Sequence, residues 1–145
     1  MPFPYRSLSG LALLAAACLP AAAAELFPGP VEARVLRVID GDTFLAEALV
    51  WPGHSVTVSV RIRGIDAPEM RSRCAAEKAA ARRARSALVR LVGDGPVSIS
   101  AIGGAKYYGR VLADVADARG RPVAAAMLRL GMARPYDGGR RVSFC

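Results

Sequence analysis

Apolar and polar residues alternate with a period of two from Val31 to Ile39, from Asp42 to Val50 and from Val56 to Gly64. That is the pattern of strands that bury one face. Asp40-Gly41 and Trp51-Pro52-Gly53-His54 separate the runs, so the pattern predicts a three-stranded meander. The period then changes. Between Cys74 and Val92, Ala80, Ala84, Leu88 and Leu91 recur at helical spacing, while Lys78, Arg82, Arg83, Arg85 and Arg90 take the remaining surface. Gly93-Asp94-Gly95-Pro96 ends this helix. Two further alternating runs, Val97 to Ile102 and Arg110 to Val115, are joined by Gly103-Gly104-Ala105-Lys106-Tyr107, and Val123 to Met132 reads as a second, short helix. Three strands, a helix, two strands and a helix is the order of a small Greek-key barrel of the OB type. Alternation by itself fits an SH3-like barrel equally well.

The chain opens differently. Residues 1–24 carry one charge, Arg6, then an apolar core from Leu11 to Leu19 and small residues from Ala21 to Ala24, the layout of a secretory signal. The apolar run is short for a bilayer crossing and is broken by Pro20. Lipoprotein anchoring at Cys18 is the lesser alternative. The expectation is an exported protein, periplasmic or secreted, whose working part is one domain, residues 25–145, without stable membrane insertion. Two cysteines then remain, Cys74 and Cys145. In an oxidising compartment that even count reads as one disulfide. With His54 the sole histidine, the thiols make a poor zinc set, and a histidine general base is excluded.

Loss of Arg6 takes the net charge only from +8 to +7. The excess is nearly all arginine, which suits bidentate contact with phosphate and counterion release from a polyanion. It equally serves solubility. The basic helix face is most simply a solvated surface.

The candidate chemistry is concentrated in Arg61-Ile-Arg-Gly-Ile-Asp66-Ala-Pro-Glu69. Strand period puts Val58, Val60 and Ile62 on one face and Arg61 and Arg63 on the other, and Gly64 ends the strand where Asp66 and Glu69 turn off it. Carboxylates beside arginines suit metal-assisted work on a phosphodiester, which needs neutralised phosphate charge, an activated water and a supported leaving group. Upstream lies Asp40-Gly41-Asp42-Thr43 and downstream Tyr107-Tyr108-Gly109-Arg110. A strand arginine or turn aspartate alone is ordinarily a solvated or capping residue, and Asp40 is adequately explained as turn chemistry.

These three motifs, in this order, resemble the staphylococcal nuclease (thermonuclease) family, with the likeness running from about Val31 to Tyr136. The resemblance implies an α+β, mainly β domain: a five-stranded OB-type barrel with two helices, the family's third, C-terminal helix being absent or very short. It implies Ca2+ held by Asp42, Asp66 and the main-chain carbonyl of Ala67, with Glu69 as general base and Arg61 and Arg110 on the scissile phosphate. Tyr108 matches the tyrosine that contacts the nucleotide phosphate, and Tyr136 a later aromatic beside the base. Tyr107 and Lys106 stand where the family has other residues, so substrate contacts there are expected to differ. With the third helix missing, a Cys74–Cys145 bond is expected to clamp the tail instead. The implied activity is that of a monomeric, calcium-dependent endonuclease that cuts DNA and RNA with little sequence specificity and leaves 3′-phosphates. The rival is a non-catalytic OB-type module of the envelope that binds nucleic acid or protein. Clustered carboxylates argue against it, because they weaken an anion-binding surface.

Overall fold

The computed structural model describes Met1, residues 25–105 and residues 107–145. The rest of the expected leader, Cys18 included, and Lys106 lie outside the described residues. The alternating runs form β1 (Val31–Asp40), β2 (Thr43–Trp51) and β3 (His54–Ile62). A two-residue β4 (Ile65–Asp66) precedes α1 (Ala75–Val92), then come β5 (Val97–Gly104), β6 (Arg110–Ala116), α2 (Val123–Arg129) and β7 (Arg134–Pro135).

Five strands close into a barrel in the order β1-β2-β3-β6-β5. β1 seals against β5 through Val31 opposite Ile99 and Ala33 opposite Val97. Only β3 and β6 run parallel, with Ser59 opposite Arg110 and Arg61 opposite Leu112. A meander closed by a parallel return strand is the OB-type Greek key, which decides between the two barrels that alternation left open. Inward-facing Phe44, Val60, Ile62 and Ile99 fill the interior, and Leu88 of α1 and Met127 of α2 join the same core. Each such side chain contributes about 1.5–3 kcal/mol on leaving water.

Local chemistry sets the helix ends. Cys74 caps α1, its Sγ accepting the Glu77 N–H at 3.5 Å, and Gly93 at φ 58° closes it with its N–H on the Val89 carbonyl. The buried stripe of α1 is Ala81, Ala84, Ala87, Leu88 and Val92, one position from the expected Ala80, which is half-buried. α2 ends at Arg129 rather than reaching Met132, because Gly131 takes φ 65° and donates its N–H to the Leu128 carbonyl. The pairing of β4 with β7, Ile65 opposite Pro135 and Asp66 opposite Arg134, was not anticipated. It brings the segment before the tail alongside the end of β3. Among the described residues no helix is long and apolar enough to cross a membrane.

Candidate active site

Strand register puts the two central arginines on one face. Arg110 lies opposite Ser59 on the parallel neighbour, and Ser59 and Arg61 share a face by the two-residue period. Thr43 lies opposite Arg61 on the other side, so Asp42 enters from the β1–β2 turn beside the same arginine. Gly41 makes that entry possible: a Cβ there would stand 2.6 Å from the Ala84 Cβ and 2.8 Å from the Ala67 Cβ. The turn is therefore wedged between α1 and the segment after β4, and small residues are needed on all three sides.

The electrostatic centre is two buried carboxylates with an arginine between them. Asp42 is 2% exposed and Asp66 4%. Arg61 reaches Asp42 Oδ1 at 2.7 Å and Asp66 Oδ1 at 3.2 Å. Asp42 is fixed further by the Ala67 N–H on its Oδ2 and the Thr43 hydroxyl on its Oδ1, both at 2.8 Å. Burial works most strongly against the Arg61 charge, but the Asp42 and Asp66 carboxylates together outweigh it and the Arg61 pKa is raised. Asp40 behaves differently. Burial first and the Asp42 charge second push its pKa up to about 7, while its Oδ1 accepts the Asp42 N–H at 3.2 Å. A residue explained in sequence as turn chemistry is thus also a carboxyl that titrates near neutrality in the wall of the cleft.

Glu69 is exposed, on the loop after Pro68, with its N–H on Glu77 Oε1 at 3.2 Å and its carbonyl accepting the Ser72 N–H. Glu77, in the first turn of α1, therefore helps set the position of Glu69, a role no sequence signal announced. A cleft of about 790 Å³ gathers Asp42, Arg61, Ala67, Glu69, Arg110 and Tyr136 on its walls. Arg61 lies over the Tyr136 ring at 5.8 Å and Arg110 over the Tyr107 ring at 5.3 Å. Tyr108 stands apart: it is fully exposed and is not among the residues that line the cleft. Arg63 has other partners, the carbonyls of Ala101 at 2.7 Å and Leu112 at 3.1 Å, and ties the end of β3 to β5 and β6. His54 is exposed in its turn, away from the cleft.

The sequence reading missed Arg141. Its Nε lies 2.8 Å from Asp66 Oδ1, one terminal nitrogen donates to the Ala67 carbonyl at 2.9 Å, and the other is paired with Glu69 Oε1. The segment that carries it is tethered by a Cys74–Cys145 disulfide with Cα atoms 6.2 Å apart. The expected pairing is present, at the N-cap of α1.

Asp42, Asp66 and the Ala67 carbonyl offer only oxygen, the donor chemistry of a hard divalent cation. Among the described residues no three His, Cys, Asp or Glu side chains gather as a ligand set, so the protein's share would be two carboxylates and a carbonyl. Positive charge is already drawn to these oxygens, from Arg61 on one side and Arg141 on the other. The donor set fits such a cation, with the Arg141 guanidinium as its stand-in.

No curated protein matches the chain in a sequence comparison. The description Staphylococcal nuclease homologue matches residues 59–142, a span from within β3 into the tail that includes Arg61, Asp66, Glu69, Arg110 and Arg141 and excludes Asp42. With more than half its length matched and an OB-type barrel as its fold, the chain belongs to the staphylococcal nuclease homologue family.

Proposed function

We propose that the protein is an exported, calcium-dependent endonuclease that hydrolyses DNA and RNA with little sequence specificity and leaves 3′-phosphates. The observation that carries this reading is the gathering of Arg61 and Arg110 on one strand face, in a cleft shared with Asp42 and Glu69 and backed by buried Asp66. Two fixed guanidinium groups give paired donors to a phosphate and stay charged at any working pH. The carboxylates would hinder simple anion binding, so their presence favours chemistry over retention.

In this mechanism Arg61 and Arg110 bind the scissile phosphate and strengthen their hold as charge builds on its oxygens. Glu69 takes a proton from the attacking water. The water oxygen bonds to phosphorus as the bond to the 5′ oxygen breaks, the 5′ oxygen leaves as an alkoxide that takes up a proton from solvent, and no covalent enzyme intermediate forms. A divalent cation held by Asp42, Asp66 and the Ala67 carbonyl would supply further positive charge against the phosphate. Tyr107 and Tyr136 offer aromatic faces on which any base can stack, consistent with low sequence preference. The disulfide suits an oxidising compartment.

Plasmid nicking by the purified protein, in calcium and then in excess chelator, tests the reading. Nicking is expected in calcium and not in chelator, with magnesium alone a poor substitute. Undiminished cutting in chelator would remove the metal from the account. Retention of nucleic acid without cutting under any condition would leave the non-catalytic binding module.

A further inference from the structure

Arg141 contacts two of the three groups that the proposed cation site would use, Asp66 and the Ala67 carbonyl. Its guanidinium touches Asp66, the Ala67 carbonyl and Glu69 at once, and Asp66 Oδ1 is shared with Arg61. The Arg141 side chain is 36% exposed, whereas that of Asp66 is only 5% exposed, so the arginine enters from solvent and covers a buried carboxylate. Residues 136–145 contain no helix or strand, yet they are held on both sides of Arg141. Before it, the Tyr136 N–H donates to the Gly64 carbonyl at 3.0 Å, and the Tyr136 hydroxyl to the Gly139 carbonyl at 2.8 Å. After it, Arg134 donates to the Ser143 carbonyl at 2.9 Å and lies over the Phe144 ring at 4.1 Å. Cys145 then joins the tail covalently to Cys74.

We propose that Arg141 is a tethered counter-ion that competes with the divalent cation for the Asp66 and Ala67 oxygens, and that the Cys74–Cys145 bond governs the competition. The proposal rests on the cation site described under Proposed function. A guanidinium and a divalent ion cannot share these oxygens, so cation binding requires the tail to withdraw. While the disulfide is closed, Arg141 is only four residues from its anchor and its effective concentration at the site stays high, in the millimolar range or above for a short tether. A dithiol reductant supplies two electrons and two protons to the sulfurs, leaving two thiols and a cyclic disulfide of the reductant. The tail then keeps only its noncovalent anchors. Coupling of this kind typically changes affinity about 5- to 150-fold.

The test is calcium binding by titration calorimetry on the protein expressed from its full sequence, in three states: oxidised, reduced with a dithiol, and oxidised Arg141→Gln. Hydrogen exchange across residues 137–145 is measured with and without calcium. The reduced protein and Arg141→Gln should each bind calcium at least tenfold tighter than the oxidised protein, and calcium should speed exchange in the oxidised tail. Cys145→Ser, without reductant, should behave like the reduced protein, which separates loss of the bond from side effects of the reagent. Equal calcium affinity in all states would overturn the proposal and leave the cation site standing. No calcium binding in any state would overturn the cation site and the proposal with it.

Discussion

Replacing Cys145 by serine removes the covalent tie between the tail and the N-cap of α1. The bond joins residues 71 apart in sequence with Cα atoms 6.2 Å apart. Closing a loop of this length restricts the unfolded chain by about 4 kcal/mol in the chain-entropy model. In a domain of this size each kcal/mol shifts the melting temperature by about 4 °C, so Cys145→Ser should melt about 15 °C lower. Scanning calorimetry in chelator measures this without a contribution from bound cation. Wild type treated with a dithiol should fall by a similar amount. Barrel strands and their turns hold Asp42, Arg61 and Arg110 independently of the tail, so the mutant's turnover at saturating calcium should stay within a few-fold of wild type. A melting temperature lowered by less than about 3 °C would refute the clamp, as would two reactive thiols in the non-reduced, denatured protein.

Other substitutions probe the site itself. Gly41→Ala would force a Cβ to 2.6 Å from Ala84 and 2.8 Å from Ala67; this should lower stability by about 1–3 kcal/mol, read by urea unfolding, and an unchanged midpoint would mean that the wedge is not tight. Asp40 has its folded pKa raised to about 7 from 3.8, so the folded state binds its proton more tightly, a stabilising contribution that is full below about pH 4 and lost as pH rises towards 7. In chelator, Asp40→Asn should therefore gain stability relative to wild type across that interval, and a difference that stays flat with pH would contradict the assignment. Glu69→Gln should keep calcium affinity within a few-fold while cutting turnover on the order of a hundredfold; an unaffected rate would remove Glu69 as the base.

Much of the barrel was legible because its strands carry alternating stretches bounded by turn signals, and α1 because alanine and leucine recur at helical spacing between a capping position and Gly93. What failed was set by tertiary contact. Nothing local distinguishes Ala80 from Ala81 as the buried edge of α1; Ala84 and Leu88 are common to both stripes, and only packing against the rest of the core sets the rotation about them. β4 and β7 exist only because Ile65 and Asp66 meet Pro135 and Arg134. The overrun of α2 came from passing over Gly131, whose positive φ ends the helix. In the site, Arg61, Arg110, Asp42 and Glu69 could be chosen from motif order, and the register of β3 with β6 then brings the arginines to one face. Arg141 could not be found this way, since Arg140 beside it is chemically identical and only the path of the tail selects between them. Tyr108 matched a motif, yet the turn before Gly109 leaves its ring in solvent.

The most direct test of the central claim, that the arginine and carboxylate cluster is a reaction centre, is the turnover of Arg61→Lys and Arg110→Lys on plasmid DNA at saturating calcium. Lysine keeps the charge but gives up the paired donors that meet two phosphate oxygens together. Each mutant is expected to lose on the order of a hundredfold or more in kcat, the scale seen when a transition-state donor is removed, with melting temperatures confirming that the barrel is folded. Turnover within a few-fold of wild type in both folded mutants would contradict the account and place the chemistry elsewhere.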